Sequence, residues 1–553
     1  MNRSDMLRRM IQEQPWDVLV IGGGATGLGV AVDSASRGYR TLLLEKEDFA
    51  KGTSSRSTKL VHGGVRYLQE GDIGLVREAL YERGLLLQNA PHLVHKEHFI
   101  IPLYNWWSGL WYTAGLMVYD LLSGRKSFGP SRPISRKQVI QRLPGIRRRG
   151  LRGGVIYLDG QFDDARLAIN LAQTAVEQGA VALNHLGVDR LLKDASGRIT
   201  GCVATDHLTG QSYEVRSNSV VNATGVFVDD ILQMDVPGAA PQVRPSQGVH
   251  LVLDQTFLGS GDAVLIPKTS DGRVLFGVPW EGKLLVGTTD TPLNGHSLEP
   301  RALDEEVSFI LRTAGEYFEK APTRGDVLSV FAGLRPLAAP QGGKAAPPGG
   351  NAPRGTDAAT KEISRSHKII TSPSGLVTIT GGKWTTYRRM AEDTVDAVIA
   401  SAGLPPRACV TQGLRIHGAA DAPATPTAGP ETLAAGRLKS AGEPPADLLA
   451  LYGSDRPALL ALRAENPAWA IPLHPRLPFT GAEVIWAVRM EEALTVEDVL
   501  ARRVRALFLD ARAAMAMAPA VARLMAGEMG KDENWERAQV DAFREVAQGY
   551  VLT

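Results

Sequence analysis

Apolar residues run unbroken through Val18–Ile21, stop at a cluster of glycines, and resume in Thr41–Leu44, which closes on Glu45. The pattern between the two runs predicts a strand, a tight turn, a helix, a second strand and then an acid. Ala79, Leu80, Leu86 and Leu87 recur near helical spacing and predict a helix from about 73 to 89. Leu167, Leu171 and Val176 do the same over 163–179. Two strands, 187–192 and 199–206, flank the turn Asp194-Ala195-Ser196-Gly197. The run 219–225 is an apolar strand that stops at small residues, as close backbone approach to a flat group requires. Four short strands fall within 248–289, at 249–253, 264–267, 274–278 and 284–288. Their spacing predicts an antiparallel sheet covering the substrate. A strand at 376–380 reaches Gly381-Gly382-Lys383, and a helix follows over about 385–400. Beyond 430 the chain reads as helical, with roles in packing, dimer contacts or membrane docking.

The chain has 553 residues, enough for two or three domains with sizeable cores. The expected fold class is α/β. A Rossmann-like dinucleotide-binding part and an antiparallel-sheet part are expected within 1–412, and a C-terminal helical domain at 430–553. The dinucleotide-binding parts fall at about 16–100, 151–240 and 362–402, and the substrate or membrane-facing parts at 101–150 and 241–337. Residues 338–361 are dominated by Ala, Pro and Gly and read as a flexible loop. Residues 413–429 read as a linker.

Residues 100–122 carry a single charge, Asp120, and could just span a bilayer. Pro102, Asn105, Ser108 and the cluster Trp106, Trp107, Trp111 and Tyr112 argue instead for the membrane interface. From 125 to 152 there are ten Lys or Arg and no Asp or Glu. An aromatic patch beside a basic segment suits an anionic membrane surface; a buried helix before a solvated basic loop is the other reading. The N-terminal segment is charged and lacks the apolar stretch of a secretory signal. Its Met6, Leu7, Met10 and Ile11 form an apolar stripe suited to docking. A cytoplasmic protein lying peripherally on the inner face of the cell membrane is expected. The formal charge of +2 gives no reason to invoke nucleic acid. Two distant cysteines, Cys202 and Cys409, lack metal-ligand spacing, and no metal site is expected.

The glycine turn has the chemistry of a dinucleotide site. Gly22 permits the tight turn, Gly24 lets a pyrophosphate approach the backbone, and Gly27 lets helix and strand pack closely. The helix N-terminus attracts phosphate, and Glu45 can bind ribose hydroxyls. The stretch 53–67 adds hydroxyls, cations and His62. Arg66, Arg335, Arg365 and Lys383 are scattered cations that, if they converge, would bind a dianionic phosphate.

GGGATGLG at 22–29, TSSRSTKLVHGGVRYL at 53–68, DDARL at 163–167, VVNATG at 220–225, VGTTDTP at 286–292, GLRPL at 333–337 and ITGGKWTTYR at 379–388 carry a family signature. Through them the chain resembles the FAD-dependent, quinone-linked glycerol-3-phosphate dehydrogenases, a branch of the glycine-oxidase-like flavoenzymes. The resemblance implies a Rossmann-like FAD domain interleaved with an antiparallel-sheet substrate domain, and noncovalent FAD along Gly22, Gly24, Gly27, Glu45, Thr53, Ser54, Ser55, Lys59, Leu60, Thr224, Gly225, Gly382, Lys383 and Thr385. It points to Arg66, Tyr67, His250, Arg335, Arg365 and Lys383 for substrate. Catalysis would fall to His62 as the first choice of base and His250 as the second, with Arg335 clamping phosphate and Lys383 stabilising developing charge. The implied partners are sn-glycerol 3-phosphate, a membrane quinone, the anionic membrane surface and a second copy of the chain. A glycerol-3-phosphate oxidase using oxygen and an amine or amino-acid oxidase are the rival activities.

Overall fold

A computed structural model describes residues 1–64, 72–267, 269, 272–339, 367–420 and 448–552; the side chains of 106–108, 110 and 125 lie outside the description. Two sheets organise the fold. The first has six strands in the order Lys368–Thr371, Leu376–Thr380, Val220–Asn222, Val18–Ile21, Thr41–Leu44, Val181–Leu183. All neighbours are parallel except the first pair. Its central strands are apolar on both faces because both are covered, one by helices and the other by the three-stranded antiparallel sheet of Leu186–Lys193, Ile199–Asp206 and Ser212–Arg216 with the N-terminal helix. Ala25–Ser36 packs between Asp164–Glu177 and Tyr387–Ala402 on one side. The N-terminal helix Arg3–Gln12 buries Met6 and Met10 beside Trp16 and Leu19, while Leu7 of the expected apolar stripe is half-buried and Ile11 is exposed.

The second sheet has Val243–Asp254 as its spine, hydrogen-bonded antiparallel to Ser329–Ala338 and Lys283–Gly287. It continues through Leu275–Trp280 and Ala263–Ile266 to Val94–Leu103, Gly153–Phe162 and Leu60–Val61. One contact, Ala263–Ile266 with Val94–Leu103, is parallel. The strands Val94–Leu103 and Gly153–Phe162 run here, although 94–100 and 153–162 fall within the ranges expected for the nucleotide part. A buried strand has the same apolar signature in either sheet, so only pairing separates them.

The apolar stretch 100–122 splits. Its first residues end the strand Val94–Leu103, and the rest form the helix Trp106–Ser123. No helix among the described residues is long and apolar enough to cross a membrane. The segment 413–420, expected as linker, is partly packed: Ile416 is buried and its N–H donates to Asn89 O. The Pro/Gly-rich loop and most of the linker lie outside the described residues. The C-terminal region is built mainly from helices, of which Ala511–Met529 and Glu533–Gln548 are the longest among the described residues, as its composition predicts.

Candidate functional site

The strand Val18–Ile21 delivers the chain to Gly22 at φ +108°, where a Cβ would lie 2.8 Å from Ala223 O. A side chain is therefore excluded there on both conformational and steric grounds. Gly27 serves packing, since a Cβ would meet Gly22 O. Glu45 accepts from the backbone N–H of Gly23 and of Glu47. Burial raises its carboxyl above the ordinary range, and those two N–H groups partly offset the rise. Ser54 Oγ accepts from Ala25 N at 2.9 Å, and Ser54 O accepts from Trp384 Nε1 at 2.8 Å. The loop after the second strand is thereby tied to both the glycine turn and the 381–385 turn.

A single cavity of about 600 Å³ runs from this turn to the second sheet. Its wall contains Gly22, Gly24, Glu45, Thr53, Ser54, Thr224 and Gly225 at one end. Leu60, His62, His250, Arg335, Gly382, Lys383 and Thr385 also line it. Fourteen of the residues expected at the site are thus brought to one surface. The cavity suits an extended dinucleotide: a Cβ-free turn and a helix N-terminus at one end, flat glycine-lined walls along it.

Three expected cofactor residues do not line the cavity. Gly27 and Ser55 face inward, with Ser55 Oγ donating to Ala50 O. Lys59 turns away: its Nζ is fully buried, 2.6 Å from Asp164 Oδ2 and 2.8 Å from Ser55 O. Burial, aided by Arg505, depresses the Lys59 ammonium to about 8 despite Asp164. Arg66, Tyr67 and Arg365 lie outside the described residues.

At the sheet end, Arg335 Nη2 donates to Thr289 O at 2.9 Å and to Thr288 Oγ1 at 3.2 Å, and Nη1 reaches Asp290 Oδ1 at 3.3 Å. Gly248 makes room for the guanidinium, because a Cβ there would lie 2.4 Å from Nη2. Glu306 supports the same strand end, accepting from Thr289 Oγ1 at 2.8 Å and Thr291 Oγ1 at 2.6 Å. His62 N donates to Thr385 Oγ1 at 3.3 Å, and the His62 ring meets Phe276 edge-on at 6.4 Å. Gly63 N donates to Tyr119 OH, which donates to Asp159 Oδ2, itself ion-paired with Arg83. This buried relay fixes the backbone on which His62 sits. Sequence reasoning missed Thr58, Asp290 and Phe276, all in the wall. Asp290 falls inside the VGTTDTP stretch, the one signal that could have found it.

Residues 17–388 match the model of the FAD dependent oxidoreductase family, and 409–536 match the C-terminal domain of alpha-glycerophosphate oxidase. A probable mitochondrial glycerol-3-phosphate dehydrogenase of Caenorhabditis elegans is 41% identical over 564 residues, covering 98% of this chain and 74% of the relative. The chain belongs to the FAD-dependent glycerol-3-phosphate dehydrogenase family. A solved glycerol-3-phosphate dehydrogenase from Bacillus halodurans, complexed with FAD, shares 31% identity with a TM-score of 0.77, covering 100% of this chain and 98% of that one. A glycine oxidase from Bacillus cereus shares the fold at 18% identity and a TM-score of 0.50, over 71% of this chain and 96% of that one. As a member of the dehydrogenase family the chain is a flavoprotein oxidoreductase. Gly22, Gly24 and Glu45 line the cavity at the glycine turn, and His62, His250, Arg335 and Lys383 also line it.

Proposed function

We propose that this chain oxidises sn-glycerol 3-phosphate to dihydroxyacetone phosphate and passes the electrons to a membrane quinone. The observation that carries this reading is the single cavity that joins the glycine turn to His62, His250, Arg335 and Lys383. Bound noncovalently, FAD would supply a two-electron acceptor for the hydride leaving C2 of the substrate. The residues supply position and charge. Arg335, braced by Thr289 O and Asp290, holds a rigid guanidinium at the wall for charge-assisted contact with phosphate. Lys383, at the N-terminus of the turn Trp384–Thr386, brings an ammonium to the same wall and stabilises negative charge on the C2 oxygen.

His62 takes the hydroxyl proton. His250 is less suited: burial, with Lys59 and Arg335 adding to it, holds its pKa well below the ordinary range. A ring whose charged form is so disfavoured is a poor proton acceptor and serves better as a neutral orienting partner. Substrate recognition beyond Arg335 and Lys383 is assigned, by family resemblance, to Arg66, Tyr67 and Arg365.

The membrane part of the proposal rests on the helix Trp106–Ser123. Trp111, Met117, Val118 and Leu121 are exposed on it, whereas Leu116 and Tyr119 are buried. Tyr112 of the same helix lines the cavity. Arg132, Arg136, Lys137, Arg148 and Arg149 are exposed nearby in sequence. An apolar face flanked by cations fits peripheral binding to the inner face of an anionic membrane, with a quinone reaching the reduced cofactor from that side.

Anaerobic titration tests the activity. Glycerol 3-phosphate should bleach the flavin absorbance stoichiometrically and glycine should not; bleaching by glycine alone would transfer the chain to the amine oxidases. Reoxidation by a quinone analogue should outrun reoxidation by oxygen, and the opposite order would make it an oxidase. Trp111→Glu with Leu121→Glu should abolish sedimentation with anionic vesicles while bleaching persists.

A further inference from the structure

The C-terminal region contributes no lining residue to the cavity among those described; the last is Met390. It nonetheless grips the cofactor-binding loop from behind, directly at Asp48 and indirectly through Asp164 of the helix Asp164–Glu177. Asp48 lies three residues after Glu45, which lines the cavity. Its side chain accepts from Arg502 Nε, from Arg503 Nη1 at 2.6 Å and Nη2 at 3.0 Å, and from Asn184 Nδ2 at 2.9 Å. Arg502 and Arg503 are consecutive, and the π-helical turn Asp498–Arg503 aims both at one acid. The second carboxylate is Asp164. It accepts from Lys59, Ser57 Oγ and Arg505 Nη2, at 2.6, 2.7 and 3.1 Å. Arg505 also donates to Ser55 O at 2.8 Å. A peripheral bridge, Lys51 to Glu497 at 3.1 Å, joins the same two segments.

The backbone carries an independent mark of the same relationship. Six described non-glycine residues have left-handed φ: Ala50, Lys59, His185, Glu281, Glu492 and Arg505. All but Glu281 lie in the gripped loop, the gripping segment or His185, which bonds Asp498 at 3.0 Å. Such conformations are strained and persist only where the surroundings over-determine them. Strain is therefore concentrated where the C-terminal segment meets the loop that bears Glu45, Thr53, Ser54 and Thr58.

We propose that residues 491–505 position the cofactor-binding loop 45–59, so that seating of this segment and binding of FAD strengthen each other. Coupling between two binding events is reciprocal. Whatever loosens the segment must weaken FAD, and loss of FAD must loosen the segment.

Two variants away from the cavity test it. Arg505→Met should weaken FAD binding by about tenfold, measured from the fluorescence of released flavin, with Arg505→Lys restoring part of it. Glu497→Gln, which weakens the bridge to Lys51 and the pairing of Glu497 with Arg502 at 2.8 Å while leaving Asp48 and Asp164 their arginines, should give a smaller loss of the same sign. KM for glycerol 3-phosphate at saturating FAD should stay unchanged in both. Hydrogen exchange on the unaltered protein removes dependence on variant folding: amides of 491–509 should exchange more slowly in holoenzyme than after FAD removal. Exchange in that segment indifferent to FAD overturns the proposal, as does wild-type FAD affinity in folded Arg505→Met.

Discussion

The Thr58 hydroxyl and the Nε2 of His250 lie 2.9 Å apart, joining the cofactor-binding loop to the spine strand of the second sheet. The imidazole has little room to move otherwise. It stacks on Phe331 at 5.0 Å, and a Cβ at Gly287 would stand 2.3 Å from its ring. Thr58→Val removes the hydroxyl and leaves the buried Nε2 without that partner, at a cost of about 1–3 kcal/mol. Thermal unfolding should show that loss, and kcat/KM should fall through misorientation of His250. An unchanged melting temperature and turnover would show that the contact orients nothing.

His62→Asn should keep FAD and substrate affinity while slowing flavin reduction by roughly 10²–10⁴-fold, the usual contribution of a positioned base. Single-turnover stopped flow on the holoenzyme reads this directly. Reduction near the wild-type rate would move the base elsewhere.

Arg335→Lys keeps the charge and loses the planar fork held by Thr289 O and Asp290. KM for glycerol 3-phosphate should rise by roughly tenfold or more, in keeping with loss of one charge-assisted hydrogen bond. Inorganic phosphate should weaken as an inhibitor in parallel. A fall in kcat with constant KM would instead place Arg335 at the reacting carbon.

His417 bridges Asp455 at 2.8 Å and Glu177, tying the C-terminal region to the helix Asp164–Glu177. Burial opposes its charge, but the two carboxylates prevail and raise its pKa to about 9. The folded pKa exceeds the unfolded value of about 6.5, so the stabilisation is complete below that value. It declines as the pH rises through about 9. His417→Gln should therefore be less stable than wild type by up to about 2–3 kcal/mol near pH 6, with the gap closing toward pH 10. Denaturant melts at several pH values measure it; a gap independent of pH would show that the ion pairs carry none of it.

Much of the fold was legible locally. The turn at Gly22–Gly27, the acid at Glu45, the helix Ile73–Asn89 and the strand Leu376–Thr380 each depend on neighbours within a few tens of residues, and periodicity records such neighbours faithfully. The 100–122 stretch shows the limit. A run of apolar residues does not reveal that the chain leaves a sheet at Leu103 and enters a helix at Trp106.

By itself the sequence determined that a dinucleotide turn, a phosphate-seeking set of cations and two histidines reside in one chain of this family. Tertiary structure decided which of them share a wall. Arg335 and Lys383 face the cavity, whereas Lys59 turns its ammonium to Asp164, 105 residues away. Arg503 reaches Asp48 across 455 residues, and nothing in the local pattern of either segment signals the other. The reason is physical. Side-chain periodicity encodes which face of an element is buried, but the partner on that face is chosen by packing over the whole chain.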